Sequence, residues 1–132
     1  MYSRRILFFS IIIVLFSFKS TTKVAEETTE AYTKQIDGKQ LFMANCGACH
    51  HVTRNLTGPS FYGVRSRWKN KKLLYAYIRN STEVIKKDAY AKALFEKWNK
   101  VVMTSFPKLK DAEIDAIFNY VDEEAKKKGL LN

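Results

Sequence analysis

Five consecutive residues constrain this chain more than any others: Cys46-Gly47-Ala48-Cys49-His50, a C-x-x-C-H. Thiols three positions apart fall about one helical turn from each other, on the same side. That spacing is the attachment signature of c-type haem. Each thiol can add to one of the two vinyl groups of a single haem, and the neutral imidazole of His50 then faces the iron as an axial ligand. Three other readings compete. A thioredoxin-like dithiol wants a βαβ surround, and no strand pattern flanks the motif. Half a zinc site needs a second ligand pair, and only His51, beside His50, is left. A disulfide across two intervening residues would constrain almost nothing.

The N-terminus bears on the same question. Arg4 and Arg5 precede an apolar run at 6–18, broken only by Ser10 and Ser17 and ended by Lys19. A basic start before a short apolar run is the layout of a secretory signal, and the run is shorter than the roughly 17–25 residues that span a bilayer. No clean small-x-small cleavage site follows. Residues 1–20 are therefore expected to be a signal peptide or an uncleaved membrane anchor, with residues 6–18 as the tether. The Thr- and Glu-rich residues 21–35 read as a flexible linker, and 36–132 as the folded domain. The expected location is the periplasm, outside the cytoplasmic membrane.

A net charge of +10, from 23 Lys and Arg against 13 Asp and Glu, would by itself suggest a nucleic acid or a membrane. Its location narrows the choice. Residues 38–82 hold eight basic side chains (Lys39, Arg54, Arg65, Arg67, Lys69, Lys71, Lys72, Arg79) and no acidic one, while 1–37 and 83–132 each carry +1. The basic segment is the one with the motif. It is expected to surround an exposed haem edge and to steer docking onto an acidic surface of a redox partner. Export leaves no role for nucleic acid. A hydrophobic content of 46%, with 14% aromatic, excludes wholesale disorder. No paired carboxylates, nucleophile–base pair or phosphate loop suggests an enzyme.

Apolar periodicity predicts an all-α domain with helices at about 37–49, 70–79, 88–100 and 111–128. The stripes are Leu73, Leu74, Tyr77 and Ile78; Ala91, Leu94, Phe95 and Trp98; and Ile114, Ile117, Phe118 and Val121. Asp111 is the expected N-cap of the last. Gly38, inside the first, costs roughly 1 kcal/mol against Ala, which close approach of another helix would offset. A sixth iron ligand follows by elimination. Met1 belongs to the signal, Met43 is expected to pack the core, and His51 reads as a loop histidine. Met103 remains, in the non-periodic stretch Val101-Val102-Met103-Thr104-Ser105-Phe106-Pro107. His/Met ligation would raise the potential relative to bis-His; a lysine or an open position are the alternatives.

Residues 36–124 resemble a class I c-type cytochrome of the bacterial mono-haem kind. Gly38-Lys39-Gln40-Leu41-Phe42 leading into Asn45-Cys46-Gly47-Ala48-Cys49-His50 is similar to the family's attachment helix. Thr57-Gly58-Pro59-Ser60-Phe61-Tyr62-Gly63-Val64 is similar to its proximal loop, Val102-Met103 before Phe106-Pro107 to its methionine loop, and Ile117-Phe118-Asn119-Tyr120 to its final helix. Thr104 departs from the proline that often follows the methionine. The resemblance implies three to five helices wrapped around one haem c, covalently held by Cys46 and Cys49. It also implies export before attachment, and single-electron transfer between redox proteins such as respiratory complexes or a terminal oxidase. It implies that the Pro59 carbonyl receives a hydrogen bond from His50, that Ile117 and Tyr120 cross near Gly38 and Phe42, and that Tyr62, Arg67 and Trp68 are candidates to touch the haem propionates. A haem subunit of a larger dehydrogenase or oxidase, or a haem enzyme with an open sixth position, are the alternative functions.

Overall fold

Asparagine and aspartate side chains punctuate the chain into helices. The computed structural model describes residues 36–130; the segments expected as a signal or anchor (1–20) and a tether (21–35) lie outside them. Among the described residues there are six helices and no strand: α1 (Gly38–Asn45), α2 (Val64–Arg67), α3 (Lys71–Arg79), α4 (Ser81–Lys87), α5 (Ala89–Lys97) and α6 (Asp111–Lys127). Asp37, Asn70, Asn80 and Asp88 accept the N–H groups of Gln40, Leu73, Glu83 and Ala91. Each satisfies a first-turn donor that has no partner within its helix. At α6 the Glu113 carboxylate takes the Lys110 N–H at 2.7 Å, and Asp111, expected as the cap, is the first helical residue.

Two helices end sooner than periodicity predicts. α1 stops at Asn45 because the Phe42 carbonyl takes the N–H of both Cys46 and Gly47 at 2.8 Å, which breaks the regular ladder. Turns carry the chain on, with the N–H groups of Cys49 and His50 reaching the Cys46 carbonyl at 3.1 and 2.9 Å. α5 stops at Lys97, after which Asn99 and Lys100 adopt left-handed φ values of 54° and 59°. The Lys100 N–H closes back on the Phe95 carbonyl at 2.9 Å. α2 and α4 are unforeseen; one is a single turn, and the other buries only Ser81 and Val84.

The core is built where α1 crosses α6. Phe42, Ile114, Ile117, Phe118 and Val121 are all buried there. Phe42 packs on Tyr120 and Phe61, with ring centroids 5.6 and 5.4 Å away. A Cβ on Gly38 would overlap the Ala116 carbonyl oxygen, so the glycine is what lets the two backbones touch. Met43 does not pack this core: it is 61% exposed. Three of the eight basic side chains from 38–82 reach α6, in the ion pairs Arg65–Asp122 at 3.4 Å, Lys71–Asp115 at 2.8 Å and Arg79–Asp111. No helix among the described residues is long and apolar enough to cross a membrane.

Candidate functional site

One pocket collects Cys46, Cys49, His50, Pro59, Trp68 and Met103. Its empty space, mouth included, is about 1140 Å³. Its walls are apolar and, among the described residues, include no Lys, Arg, Asp or Glu.

The loop after the motif is knitted back onto it. Gly58 N–H bonds the Cys49 carbonyl at 2.9 Å, Phe61 N–H that of His51 at 3.0 Å, and Tyr62 N–H that of Val52 at 2.8 Å. This brings the Pro59 carbonyl to 2.7 Å from His50 Nδ1. With Nδ1–H donating to Pro59, Nε2 keeps its lone pair, the tautomer that a metal-ligating imidazole requires. Burial lowers the His50 pKa, and the Pro59 bond only partly opposes this, so the ring is neutral at pH 7. Phe61 sits edge-on at 4.8 Å. Gly58 lies so close that a Cβ would overlap the imidazole. The loop is thus a cradle shaped to this ring.

The two cysteines differ. Cys46 is buried and Cys49 exposed, and burial pushes the Cys46 thiol up to about 12. Dithiol exchange runs through a thiolate with a lowered pKa, so Cys46 suits a permanent covalent bond better than exchange. Among the described residues no group of three or more His, Cys, Asp or Glu is arranged to hold a metal ion.

Leu94 and Phe95 from α5, and Trp98, Val101, Val102 and Met103 beyond it, line the same pocket. Met103 is half-buried. Its carbonyl accepts the Ser81 hydroxyl at 2.6 Å, and Ser81 is fully buried. Trp68 is buried in the wall, against Tyr77 at 4.8 Å. Tyr62 and Arg67 are not in the wall. The Tyr62 hydroxyl donates to the Leu130 carbonyl at 2.6 Å. The Arg67 guanidinium holds the Tyr62 and Ser60 carbonyls at 2.6 and 2.7 Å. Arg67 braces the proximal loop from behind and does not reach into the pocket. His51 is a loop residue whose Nδ1 accepts the Thr53 and Arg54 N–H groups. Sequence reading missed Gly58 as a contact of His50, Arg67 as a loop brace and Ser81 altogether. Only the glycine left a local signal, its place before proline.

These residues fit a haem. Two cysteines three positions apart and a methionine line one pocket, an imidazole there is held in the ligating tautomer, and the walls are mostly apolar.

Comparison with known proteins follows the same line. A family model described as Cytochrome c matches residues 35–124. The chain is 36% identical over 92 residues to a protein named Cytochrome c6 from Cyanidioschyzon merolae, across 68% of this chain and 74% of that one. It is similar in structure to a cytochrome c from Rhodothermus marinus, with a TM-score of 0.60 and 26% identity over 76% of this chain and 84% of the other. It is also similar to the cytochrome c domain of a Pseudomonas putida protein, with a TM-score of 0.55 and 29% identity over 68% and 89% of the two chains.

Proposed function

The chain belongs to the cytochrome c family, as a class I c-type member, and from that premise we propose that it is an exported carrier of single electrons, not an enzyme. The family implies covalently bound haem c. We assign its attachment to Cys46 and Cys49 and its axial ligands to His50 and Met103. The observation that carries this reading is one uncharged pocket lined by both thiols, the imidazole fixed by Pro59 and the Met103 thioether. Bound there, the haem supplies a one-electron Fe(III)/Fe(II) couple.

The chain's own residues do the rest. The Pro59 carbonyl orients His50 and keeps its Nε2 unprotonated. Gly58 and Phe61 leave the ring no room to turn. Leu94, Phe95, Trp98 and Phe118 exclude water and lower the local dielectric. No side chain has to move or give up a proton, which suits electron transfer without bond chemistry.

The partners we propose are redox proteins with an acidic docking surface. Five cations of the basic segment (Lys39, Arg54, Arg67, Lys69 and Lys72) are not among the ion pairs of the described residues and support that choice. Residues 1–20 we assign to export and 21–35 to a linker; mass analysis of the N-terminus after secretion reports whether the signal is removed.

The test is spectroscopic. The purified protein should keep its haem through denaturing electrophoresis and give the pyridine haemochrome of a doubly thioether-linked haem. The reduced form should not bind carbon monoxide until Met103→Ala opens the sixth position. Ready binding by the unaltered protein would overturn the His/Met assignment.

A further inference from the structure

Met103 lies in a loop, 101–110, that has no secondary structure of its own. A loop is a poor place from which to hold a ligand, since its backbone must be fixed from outside. Around Met103 the loop is not stiffened locally either. Thr104 follows Met103 and lacks the ring that would fix φ, and Val101 and Val102 are each 51% exposed. Its restraint comes from the end of α3 and the start of α4.

Three contacts supply it. The Ser81 hydroxyl donates to the Met103 carbonyl at 2.6 Å. The Phe106 N–H donates to the Ile78 carbonyl at 3.0 Å. Arg79 Nε donates to the Leu109 carbonyl at 2.8 Å, and its guanidinium pairs with Asp111. Three of the four positions 78–81, namely Ile78, Arg79 and Ser81, thus grip the loop at 106, 109 and 103. The Ser81 contact is the one on the ligand residue itself, and it is the most protected: Ser81 is 0% exposed. A serine at the N-cap ordinarily spends its hydroxyl on the first turn of its helix. Here Asn80 performs that task, through the Glu83 N–H at 3.2 Å, and the Ser81 hydroxyl is left to the loop.

We infer that Ser81 is a positioning residue for the sixth iron ligand: its buried hydroxyl fixes the Met103 backbone and so holds the thioether at the pocket. The inference rests on the assignment of Met103 as that ligand. Removing the hydroxyl leaves the half-buried Met103 carbonyl without its partner and lets the loop leave the pocket more easily. An external ligand then competes better for the sixth position, although no atom that touches the iron has changed.

The experiment uses the haem-loaded protein and imidazole as competing ligand, followed by the visible spectrum of the oxidised form. Ser81→Ala should bind imidazole roughly tenfold more tightly than the unaltered protein, the scale of one lost buried hydrogen bond. Ser81→Thr, which keeps the hydroxyl, should return affinity towards the original. Val121→Ala weakens the α1–α6 core away from the pocket and should lower the melting temperature without raising imidazole affinity. That separates positioning from general loss of stability. If Ser81→Ala does not fold, Ser81→Gly carries the same comparison. Met103→Ala should bind imidazole most tightly of all and lose the spectrum of the original sixth ligand. If Met103→Ala changes neither, the ligand assignment fails. If it changes both while Ser81→Ala matches the unaltered protein, or matches Val121→Ala, the ligand assignment stands and the role of Ser81 is refuted.

Discussion

At the scale of single residues, the site depends on what is absent from a side chain as much as on what is present. Gly58 has no Cβ, and the His50 ring occupies the space one would fill. Gly58→Ala should therefore displace the loop or the imidazole. Overpacking of this kind costs about 1–3 kcal/mol, measurable by urea unfolding. Asp115 shows the opposite device, a carboxylate with several partners. Burial pulls its pKa up, but hydrogen bonds from Lys71 and Tyr75 and the charges of Lys71 and Arg65 outweigh that and hold it below its ordinary 3.8. A carboxyl with a depressed folded pKa stabilises the fold above its unfolded value and loses that contribution as pH falls through the folded one. Acid unfolding should accordingly steepen below about pH 3.8. Asp115→Asn should flatten that limb, more clearly at low salt, because the Asp115 side chain is 37% exposed. The motif made Cys46, Cys49 and His50 legible, since its spacing is its chemistry. Ser81 was not legible. Its partner is 22 residues away, and nothing in the local pattern marks a serine at a helix start as anything but a cap.

At the scale of elements, the helices with a long apolar stripe were readable and the short ones were not. α3, α5 and α6 carry residues at i, i+3 and i+4. α4 has seven residues and buries Ser81 and Val84 alone, too little for a periodic signal. α1 is shorter than its sequence suggests. Its last carbonyls turn to the motif, and Met43, one turn before Cys46, ends up facing solvent and not the core. The α1–α6 crossing brings the two backbones into direct contact at Gly38 and Ala116. Gly38→Ala places a methyl group on the Ala116 carbonyl, and neither backbone can swing aside. The expected loss is at least about 1–3 kcal/mol. A companion Ala116→Gly should not restore it, because the clash is with the carbonyl and not the side chain; urea midpoints of the single and double variants decide this.

For the whole molecule, the charge of the basic segment divides into two uses. Arg65, Lys71 and Arg79 bind α6 and hold the fold together. Lys69 and Lys72, beside them in sequence, are exposed. Electron transfer to an acidic partner should slow as salt rises. Lys69→Glu and Lys72→Glu should slow it further at low salt, while Lys71→Gln should act mainly on stability; stopped-flow rates across ionic strength beside melting curves separate the two. The crossing of α1 and α6 also sets an order of events in time. The first and last helices of the described domain bury each other, so a chain emerging from its N-terminus stays open until α6 arrives. During that interval Cys46 is reachable, whereas afterwards it is buried in the pocket wall, and that burial raises its thiol pKa. With attachment at Cys46 as proposed, the expected order is haem first and closure by α6 afterwards. On that assignment the closing helix is a latch, and a variant that closes early should be recovered with less haem per chain.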